Sequence, residues 1–231
     1  MAEAKNGNLY YYPVPDDGII REESLFEFDE TYENYRLKNI ESVTFPDGVK
    51  EIDLSALCGG EAIHKIVLPD GVTKIYGGAP ENITEINIPD SVTEIGDYAF
   101  WRCSSLSEIK IPKSVVKIGD CAFADCDSLE AVEIPSGVKE IGDSAFSGCE
   151  LLEEVKISEG VQKIGRFAFY GCWRLKRIYI PESIIEIREE STWDLSRDGD
   201  ELGFCSDDVT VIGNRVAQEL ARWQGFNFKL S

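Results

Sequence analysis

The sequence has few of the residues that build catalytic and metal centres. Among 231 residues there is one histidine, His64, and no two cysteines stand in a C-x-x-C arrangement. Zinc sites use clustered cysteine and histidine ligands, so a zinc site is not expected. The sequence also shows no nucleophile placed with a base and no glycine-rich phosphate loop. It therefore predicts no catalytic site, no cofactor and no metal ion, and we do not expect an enzyme.

Positive charge is scarce as well. The chain has 23 lysines and arginines against 43 aspartates and glutamates, a formal net charge of -20. This negative field repels phosphate backbones and anionic lipid headgroups, so neither nucleic acid nor a bilayer surface is an expected partner. Such a charge is typical of a protein kept soluble and monomeric, and a preference for basic partners or cations is the alternative interpretation.

Long apolar runs are missing too. No stretch of about 18 apolar residues is present, and the first residues, MAEAKNGNLYYYPVP, lack the basic and then apolar pattern of a secretory signal. No membrane insertion is predicted. The chain as given is expected to be cytoplasmic, or to lie at the cell surface or be secreted if a leader was removed.

What the sequence does contain is a repeat of 23 residues. From Ile86 four segments follow without a gap: INIPDSVTEIGDYAFWRCSSLSE, IKIPKSVVKIGDCAFADCDSLEA, VEIPSGVKEIGDSAFSGCELLEE and VKISEGVQKIGRFAFYGCWRLKR. They share the template I-x-I-P-x-x-V-x-x-I-G-x-x-A-F-x-x-C-x-x-L-x-x. Weaker units open at Val43 and Ile66, the second of them three residues short near Ala79, and a seventh opens at Ile178. Self-similarity at this period is typical of solenoids.

Each part of the template has a physical interpretation. The I-x-I segment alternates inward and outward as a β-strand does, and the following proline, which lacks a donor, ends the strand. The segment V-x-x-I-G-x-x-A-F-x-x-C has a glycine that permits a tight bend and then apolar residues at helical spacing, which predicts a short helical turn. Strands stack about 4.8 Å apart and helices pack about 8 to 10 Å apart, so we expect the strands on a concave side and the helical turns on a convex side.

Three regions are predicted along the chain. Residues 1–42 form an amino-terminal cap segment, residues 43–187 hold about seven repeats, and residues 188–231 hold an irregular acidic loop and a carboxy-terminal strand-helix cap. No unit can cover its own apolar face. Several units must therefore stack, and both ends must be capped.

The template resembles the BspA-like leucine-rich repeats, also called the Treponema pallidum type, of bacterial surface proteins and some protists. The resemblance runs from about residue 43 to 187, and the ending VTVIGNRVAQELARWQGFNFKL is similar to the segment that closes such domains. The resemblance implies an α/β fold, a right-handed leucine-rich-repeat solenoid with short parallel strands on the concave side. It also implies non-enzymatic binding.

Outward positions of the predicted strands form two columns on the concave sheet. One column runs Ser42, Lys65, Glu85, Glu108, Ala131, Glu154, Arg177, and the other runs Thr44, Val67, Asn87, Lys110, Glu133, Lys156, Tyr179. We predict a partner-binding strip made of seven of them: Glu108, Lys110, Glu133, Glu154, Lys156, Arg177 and Tyr179. Tyrosine and arginine often dominate interface energies, so Tyr179 and Arg177 are the expected anchors. The competing interpretation is a solvated salt-bridge ladder in which Lys110, Glu133 and Lys156 pair sideways, worth about 0 to 1 kcal/mol per pair.

Large aromatic residues occupy variable positions of the convex side. They are Tyr98, Trp101, Phe167, Tyr170 and Trp173. We expect the irregular stretch with Trp193 and Phe204 to cover them, and an exposed partner patch is the alternative.

Four of the seven cysteines, Cys103, Cys126, Cys149 and Cys172, recur at an interval of 23 residues. They are expected to fill small buried gaps as reduced thiols, with adjacent rungs too far apart on the convex side for disulfides. Cys58, Cys121 and Cys205 are expected to be more accessible.

The segment from Asp194 to Glu201 is similar to the opening of a calcium loop, D-x-[DN]-x-[DN]-G, with Ser196 at the third position. Cys205 stands where such a loop requires a bidentate glutamate. An ordinary acidic loop is therefore the preferred interpretation.

The function that these features favour is a non-enzymatic module that binds a protein partner, or another ligand, on its concave face. A cell-surface adhesin fragment that binds host or matrix proteins is one alternative. A self-assembling structural unit is another, although the charge favours a monomer, and a hydrolase that uses carboxylates of the concavity is the least favoured.

Overall fold

The computed structural model describes residues 2–5, 8–11, 16–21, 39–187, 210–213 and 228–229. For residues 2–5, 8–11, 187, 211 and 228–229 only the backbone is described. The described residues form a solenoid of parallel strands with about six turns. Each turn of the chain is called a rung below.

The secondary structure consists almost entirely of short strands. In chain order they are β1 (Ala2–Lys5), β2 (Asn8–Tyr11), β3 (Ile19–Ile20), β4 (Ser42–Thr44), β5 (Glu51–Asp53), β6 (Lys65–Val67), β7 (Lys74–Tyr76), β8 (Glu85–Asn87), β9 (Glu94–Ile95), β10 (Lys117–Ile118), β11 (Ala131–Ile134), β12 (Glu140–Ile141), β13 (Glu154–Ile157), β14 (Lys163–Ile164), β15 (Arg177–Ile180), β16 (Glu186–Ile187), β17 (Thr210–Gly213) and β18 (Phe228–Lys229). A 3-10 helix, η1 (Leu54–Leu57), is the one helix within the described residues.

The I-x-I segments form the first sheet, as the template predicts. Its strands follow the order β1, β2, β4, β6, β8 and, after an interruption at residues 108–111, the order β11, β13, β15, β17, β18. All of these pairs are parallel except β1 with β2, which is antiparallel. The short parallel strands of the predicted solenoid are thereby confirmed.

A second sheet runs beside the first one in every rung, and the sequence analysis did not predict it. Its order is β16, β14, β12, β10, β9, β7, β5, β3, again in parallel. In the gapless repeats its strands are two residues long and end at the isoleucine before the template glycine. The central isoleucine, Ile118, lies between Ile95 and Ile141 and is fully buried.

The segment after each second strand was expected to be a short helical turn. In the gapless repeats it is a series of turns in which alternate backbone amides donate to the next rung, and other amides donate within the segment. Phe100 N donates to Ala122 O at 2.8 Å, and Phe123 N donates to Ala145 O at 2.7 Å. In an α-helix these amides would bond within their own segment. These turn segments therefore form a third ladder between rungs, and the wide helix spacing from which we predicted curvature does not occur in them.

The template phenylalanines stack directly on one another inside the solenoid. Ring centroids are 5.1 Å apart between Phe100 and Phe123, 5.1 Å between Phe123 and Phe146, and 5.5 Å between Phe146 and Phe169. All four rings are buried and nearly parallel. Each ring thus fills the space between its neighbours, as the repeat period requires.

The cysteine column lies in the same core and contains free thiols, as predicted. The thiol of Cys126 donates to Phe100 O at 3.2 Å, and that of Cys149 donates to Phe123 O at 3.2 Å. Burial raises the pKa of the Cys149 thiol, so it stays protonated. Cys58 is exposed and Cys121 is half-buried, whereas Cys205 lies outside the described residues.

The template glycine has a different role from the bend that the sequence suggested. Gly119, Gly142 and Gly165 do not have left-handed backbone angles. A Cβ atom on Gly142 would lie 2.5 Å from both the carbonyl carbon and oxygen of Gly119, and one on Gly165 would lie 2.4 Å from the carbonyl carbon of Gly142. Close approach of successive backbones therefore selects glycine here.

Several segments of the predicted caps also pair with the solenoid. Parallel pairing joins β2 to β4 and β3 to β5, so residues 8–20 contribute two strands in positions equivalent to those of a rung. At the other end β17 pairs with β15 and β18 pairs with β17. The predicted cap helix lies between β17 and β18, outside the described residues. The described residues contain no helix of the length and apolarity that a bilayer crossing requires.

Replacing Phe123 by alanine should lower the free energy of unfolding by about 3 to 5 kcal/mol, because the cavity would separate two stacked rings. Urea denaturation measures the loss. The control is Tyr170→Ala, at a ring that is 40% exposed, where we expect a change within about 0.5 kcal/mol. Equal losses for the two variants would contradict the stacked core.

Replacing Gly142 by alanine should destabilise the protein by about 1 to 3 kcal/mol, because the added methyl group meets backbone atoms that cannot move aside. The matched control is Gly78→Ala, since a Cβ atom there meets nothing within 4 Å. Thermal denaturation compares the two variants. A Gly142→Ala protein as stable as the Gly78→Ala protein would show that the rungs do not approach as closely as described.

Candidate functional site

The outward residues of the first sheet form the two columns that the sequence predicts. Strand register places Lys65 beside both Ser42 and Glu85, and it places Glu154 beside Ala131 and Arg177. In the other column Lys156 lies beside Glu133 and Tyr179. We call this surface the first-sheet face. Glu108 and Lys110 belong to the same columns but lie in the interruption between β8 and β11.

Beyond the interruption, opposite charges on the first-sheet face are paired. Lys156 Nζ lies 3.0 Å from Glu133 Oε1, and Arg177 Nε donates to Glu154 Oε2 at 2.8 Å. Hydrogen bonding to Glu154 raises the pKa of Arg177. The side chains of Lys156, Glu133 and Arg177 are each more than half exposed, so each pair is worth about 0 to 1 kcal/mol. The predicted pair between Lys156 and Glu133 therefore forms, and the pair between Arg177 and Glu154 is one that the sequence analysis did not predict.

At the interruption the predicted pairing fails. Glu133 was expected to bridge Lys110 and Lys156, but it pairs with Lys156 alone, and Lys110 makes no ion pair within the described residues. Glu108 is likewise exposed and without an ion pair there. The backbone amides of residues 108–111 donate no hydrogen bond to any described residue. The reason for the missing pair is that this segment does not join the strand ladder on either side.

Ser114 shows how the interruption disturbs the rung. In two other rungs the equivalent serine bridges to the preceding rung, since Ser91 Oγ donates to Val72 O at 2.7 Å and Ser183 Oγ donates to Val161 O at 2.7 Å. Ser114 Oγ is buried and has no hydrogen-bond partner among the described residues. A buried hydroxyl without a partner is uncommon in folded proteins.

A depression of about 700 Å³ lies at the interruption. Its lining includes two lysines, two carboxylates and the orphan hydroxyl: Lys110, Lys113, Asp90, Glu133 and Ser114. Ile109 is partly exposed in the same place, as is the equivalent Ile86, whereas the equivalent Val132 is buried. Charged, polar and apolar groups are therefore available together in one open hollow.

The second sheet has a charge pattern that the sequence analysis missed. From β5 to β16 the outward residue of each strand alternates in sign: Glu51, Lys74, Glu94, Lys117, Glu140, Lys163, Glu186. Glu94 Oε1 lies 3.3 Å from Lys74 Nζ and 3.7 Å from Lys117 Nζ. The sequence shows this alternation at the residue that precedes the Ile-Gly dipeptide of each gapless repeat. Because its charges compensate one another, this column is a weaker candidate for partner binding than the first-sheet face.

The residue after the template glycine was also treated as variable, yet it is aspartate in three gapless units. Asp97 Oδ1 accepts from Asp120 N at 2.9 Å, and Asp120 Oδ1 accepts from Asp143 N at 2.8 Å. The last member, Asp143, accepts from Arg166 N at 2.8 Å. These carboxylates bond to the backbone of the next rung, so their role is structural.

The aromatic residues of the turn segments are exposed as the structure describes them. Tyr98 is 50% exposed, Trp101 37%, Tyr170 40% and Trp173 44%, while Phe167 is half-buried. Their expected cover, with Trp193 and Phe204, lies outside the described residues, as does the predicted acidic loop Asp194 to Glu201. Within the part of the chain that the structure describes, no three metal-ligating side chains cluster.

Comparisons with known proteins support the family that the repeats resemble. The model of the BspA type leucine rich repeat region matches in six copies, over residues 29–80 and 78–195. A comparison with curated proteins finds no match.

Solved structures of similar proteins are also leucine-rich-repeat proteins. One from Bacteroides ovatus has a TM-score of 0.57 at 23% identity, with 93% of this chain covered. This chain covers 54% of that protein, about half its length. One from T. pallidum has a TM-score of 0.48 at 21% identity, covering 99% of this chain and 94% of that one. A leucine rich cell surface protein from Faecalibacterium prausnitzii has a TM-score of 0.42 at 26% identity, covering 80% and 56%.

The Bacteroides ovatus structure supports the solenoid fold, and the family model spans well over half of the sequence. The template glycine, phenylalanine and cysteine occupy equivalent positions in successive rungs, as repeats of one kind require. The chain belongs to the BspA type leucine-rich-repeat family.

Proposed function

We propose that this protein is a non-enzymatic binding module that holds a protein partner on the first-sheet face, across the interruption at residues 108–111. Proteins of the leucine-rich-repeat family typically bind other proteins or occur as surface proteins. The observation that supports this location is the set of unmet bonding groups at the interruption. They are the exposed side chains of Glu108 and Lys110 and the backbone amides of residues 108–111, none of which bonds to a described residue.

Unmet groups favour a partner for an energetic reason. An exposed polar group that has no internal partner gives up only water contacts when a partner binds to it. Lys110 is exposed and pairs with no carboxylate of the described residues, so a partner carboxylate can pair with it without first breaking an ion pair among them. Lys156 and Glu133, in contrast, must give up their ion pair with each other before either one can pair with a partner.

The anchors of the interface lie on β15. Arg177 and Tyr179 project from alternate positions of that strand, and each belongs to a residue type that is enriched among binding hot spots. Tyr179 is half-buried beside Lys156, so its ring is already held in place before a partner binds. Pre-ordering of an aromatic side chain reduces the entropy that binding must overcome.

Partner chemistry follows from the charges on this face. The interruption offers Lys110 and Lys113 on one side and Glu108 and Asp90 as acceptors, so we infer a partner surface of mixed charge rather than a polyanion. The net charge of -20 disfavours an acidic partner over longer distances. Adhesion to host or matrix proteins would be one form of this activity. Self-assembly stays an alternative prediction, and no contact of the described residues favours it.

Charge reversal tests the first-sheet face. The triple variant Lys110→Glu, Lys156→Glu, Arg177→Glu should weaken binding to a partner purified from the native source by about 100-fold or more, because removed ion pairs become repulsions. Isothermal titration calorimetry measures the dissociation constant.

A matched control changes the net charge equally at the second sheet: Lys74→Glu, Lys117→Glu, Lys163→Glu. These lysines also belong to exposed or half-exposed columns of alternating charge, so the control should bind within a few-fold of the unaltered protein. Thermal denaturation checks that both variants fold. If the first-sheet variant binds its partner as tightly as the control does, the first-sheet face is not the binding site.

A further inference from the structure

A notch interrupts the turn segments where the repeat is three residues short. Gly78, Ala79 and Pro80 form its floor, and Gly59 and Gly60 of the preceding rung border it. Its volume is about 400 Å³. Pockets that hold small ligands span roughly 300 to 1,000 Å³, so this notch is of a size for a single side chain or a small molecule.

One wall of the notch is aromatic. Tyr98 and Trp101 both line it, and their rings meet edge to face with centroids 6.1 Å apart. They are 50% and 37% exposed. In the next rung the equivalent positions hold Cys121 and Ala124, so the aromatic wall occurs beside the shortened rung and not in the rung after it.

The rim of the notch is acidic. Glu61 and Glu81 line it, both are exposed, and neither makes an ion pair within the described residues. Asn82 Nδ2 donates to Glu61 O at 2.7 Å, which ties the backbone of one side of the rim to the other. Two carboxylates are thus held on the rim without a counter-charge.

Among the described lining residues the one cation is Arg102, which lies against the aromatic wall and pairs with Asp125. The guanidinium of Arg102 lies over the Trp101 ring, 4.5 Å from its centroid, and Arg102 Nε is 3.8 Å from Asp125 Oδ2. Trp101 Nε1 also donates to Asp125 Oδ2, at 3.2 Å. Asp125 therefore fixes both the indole and the guanidinium, and this leaves the two rim carboxylates for a ligand.

We propose that the notch binds one lysine or arginine side chain of a partner protein. The alkyl stem packs against Trp101 and Tyr98, and the cationic head group pairs with Glu61 and Glu81. The acidic field of the whole chain adds to the attraction between a cation and these carboxylates. This site lies on the turn segments and does not depend on binding at the first-sheet face.

Nuclear magnetic resonance of the full chain tests the proposal at a single side chain. The probe is the peptide acetyl-Gly-Lys-Gly-amide, titrated against protein labelled with nitrogen-15. The indole signal of Trp101, identified by its loss in Trp101→Phe, should shift saturably. The signal of Trp173, an exposed tryptophan of another rung, is the internal reference and should stay in place.

Protein variants and a modified peptide distinguish recognition of the lysine charge from nonspecific binding. The double variant Glu61→Gln, Glu81→Gln should weaken the peptide about fivefold or more, since each exposed ion contact contributes modestly. The control Glu130→Gln, Glu150→Gln alters two exposed glutamates elsewhere with the same change in net charge and should leave the affinity unchanged. Acetylation of the lysine Nζ in the peptide should abolish the Trp101 shift.

Four outcomes would overturn the proposal. The first is an unchanged Trp101 signal, which would mean that the notch is closed to the peptide or covered by another part of the chain. The second is an equal shift with the acetylated peptide, and the third is equal weakening in the control variant. The fourth is binding of n-butylammonium as tight as that of the peptide, which would assign the notch to small amines instead.

Discussion

The spacing between successive backbones is the constraint on which this structure depends. In the gapless repeats the rungs are linked by the second sheet and by the amides of the turn segments, and by the first sheet where it is continuous. Hydrogen bonds of this kind hold neighbouring chains about 4.8 Å apart. Phenylalanine rings 5.1 to 5.5 Å apart and glycines with no room for a Cβ atom are consequences of the same spacing. A side chain that does not fit this spacing would not fit at the equivalent position of any gapless rung. This explains why the same residue types recur at each template position.

Both candidate binding regions lie where this regularity is broken. The rung that opens at Ile66 is three residues short, and the missing residues leave the notch beside Trp101. At the start of the rung that opens at Ile109, residues 108–111 leave the first sheet, and Lys110 and Ser114 lack the partners that equivalent positions have. In regular rungs most polar groups bond to the neighbouring rung. In the irregular rungs some polar groups lack such bonds and can bond to a ligand. Binding capacity in a repeat protein of this kind therefore concentrates at its irregular units.

Much of this architecture could be predicted from the period alone. A repeat of 23 residues placed Phe123 above Phe100 and Lys156 beside Glu133, because equal lengths force equivalent positions into register. The turn segments were predicted as helical because Ala99, Phe100 and Cys103 have helical spacing. They are not helical, because the Phe100 amide donates to the next rung, while the amides of Ala99 and Cys103 donate to carbonyl groups only three residues earlier. Hydrogen bonds between the backbones of successive rungs do not require particular side chains, so the sequence does not reveal them. The exceptions are the glycine and aspartate that follow strands of the second sheet. The interruption at residues 108–111 had no signal in the template, because Ile109 and Ile111 match it fully.

Hydrogen exchange at the turn segments tests the central claim most directly. The amides of Phe100, Phe123 and Phe146 each donate to the next rung, so they should exchange as slowly as the amides of β11 and β13, through unfolding of the whole solenoid. The amides of residues 108–111, which donate no such bond, should exchange much faster. Rapid exchange at the three phenylalanines, with protection confined to the strands, would show that the rungs are not linked through their turn segments and would contradict the account.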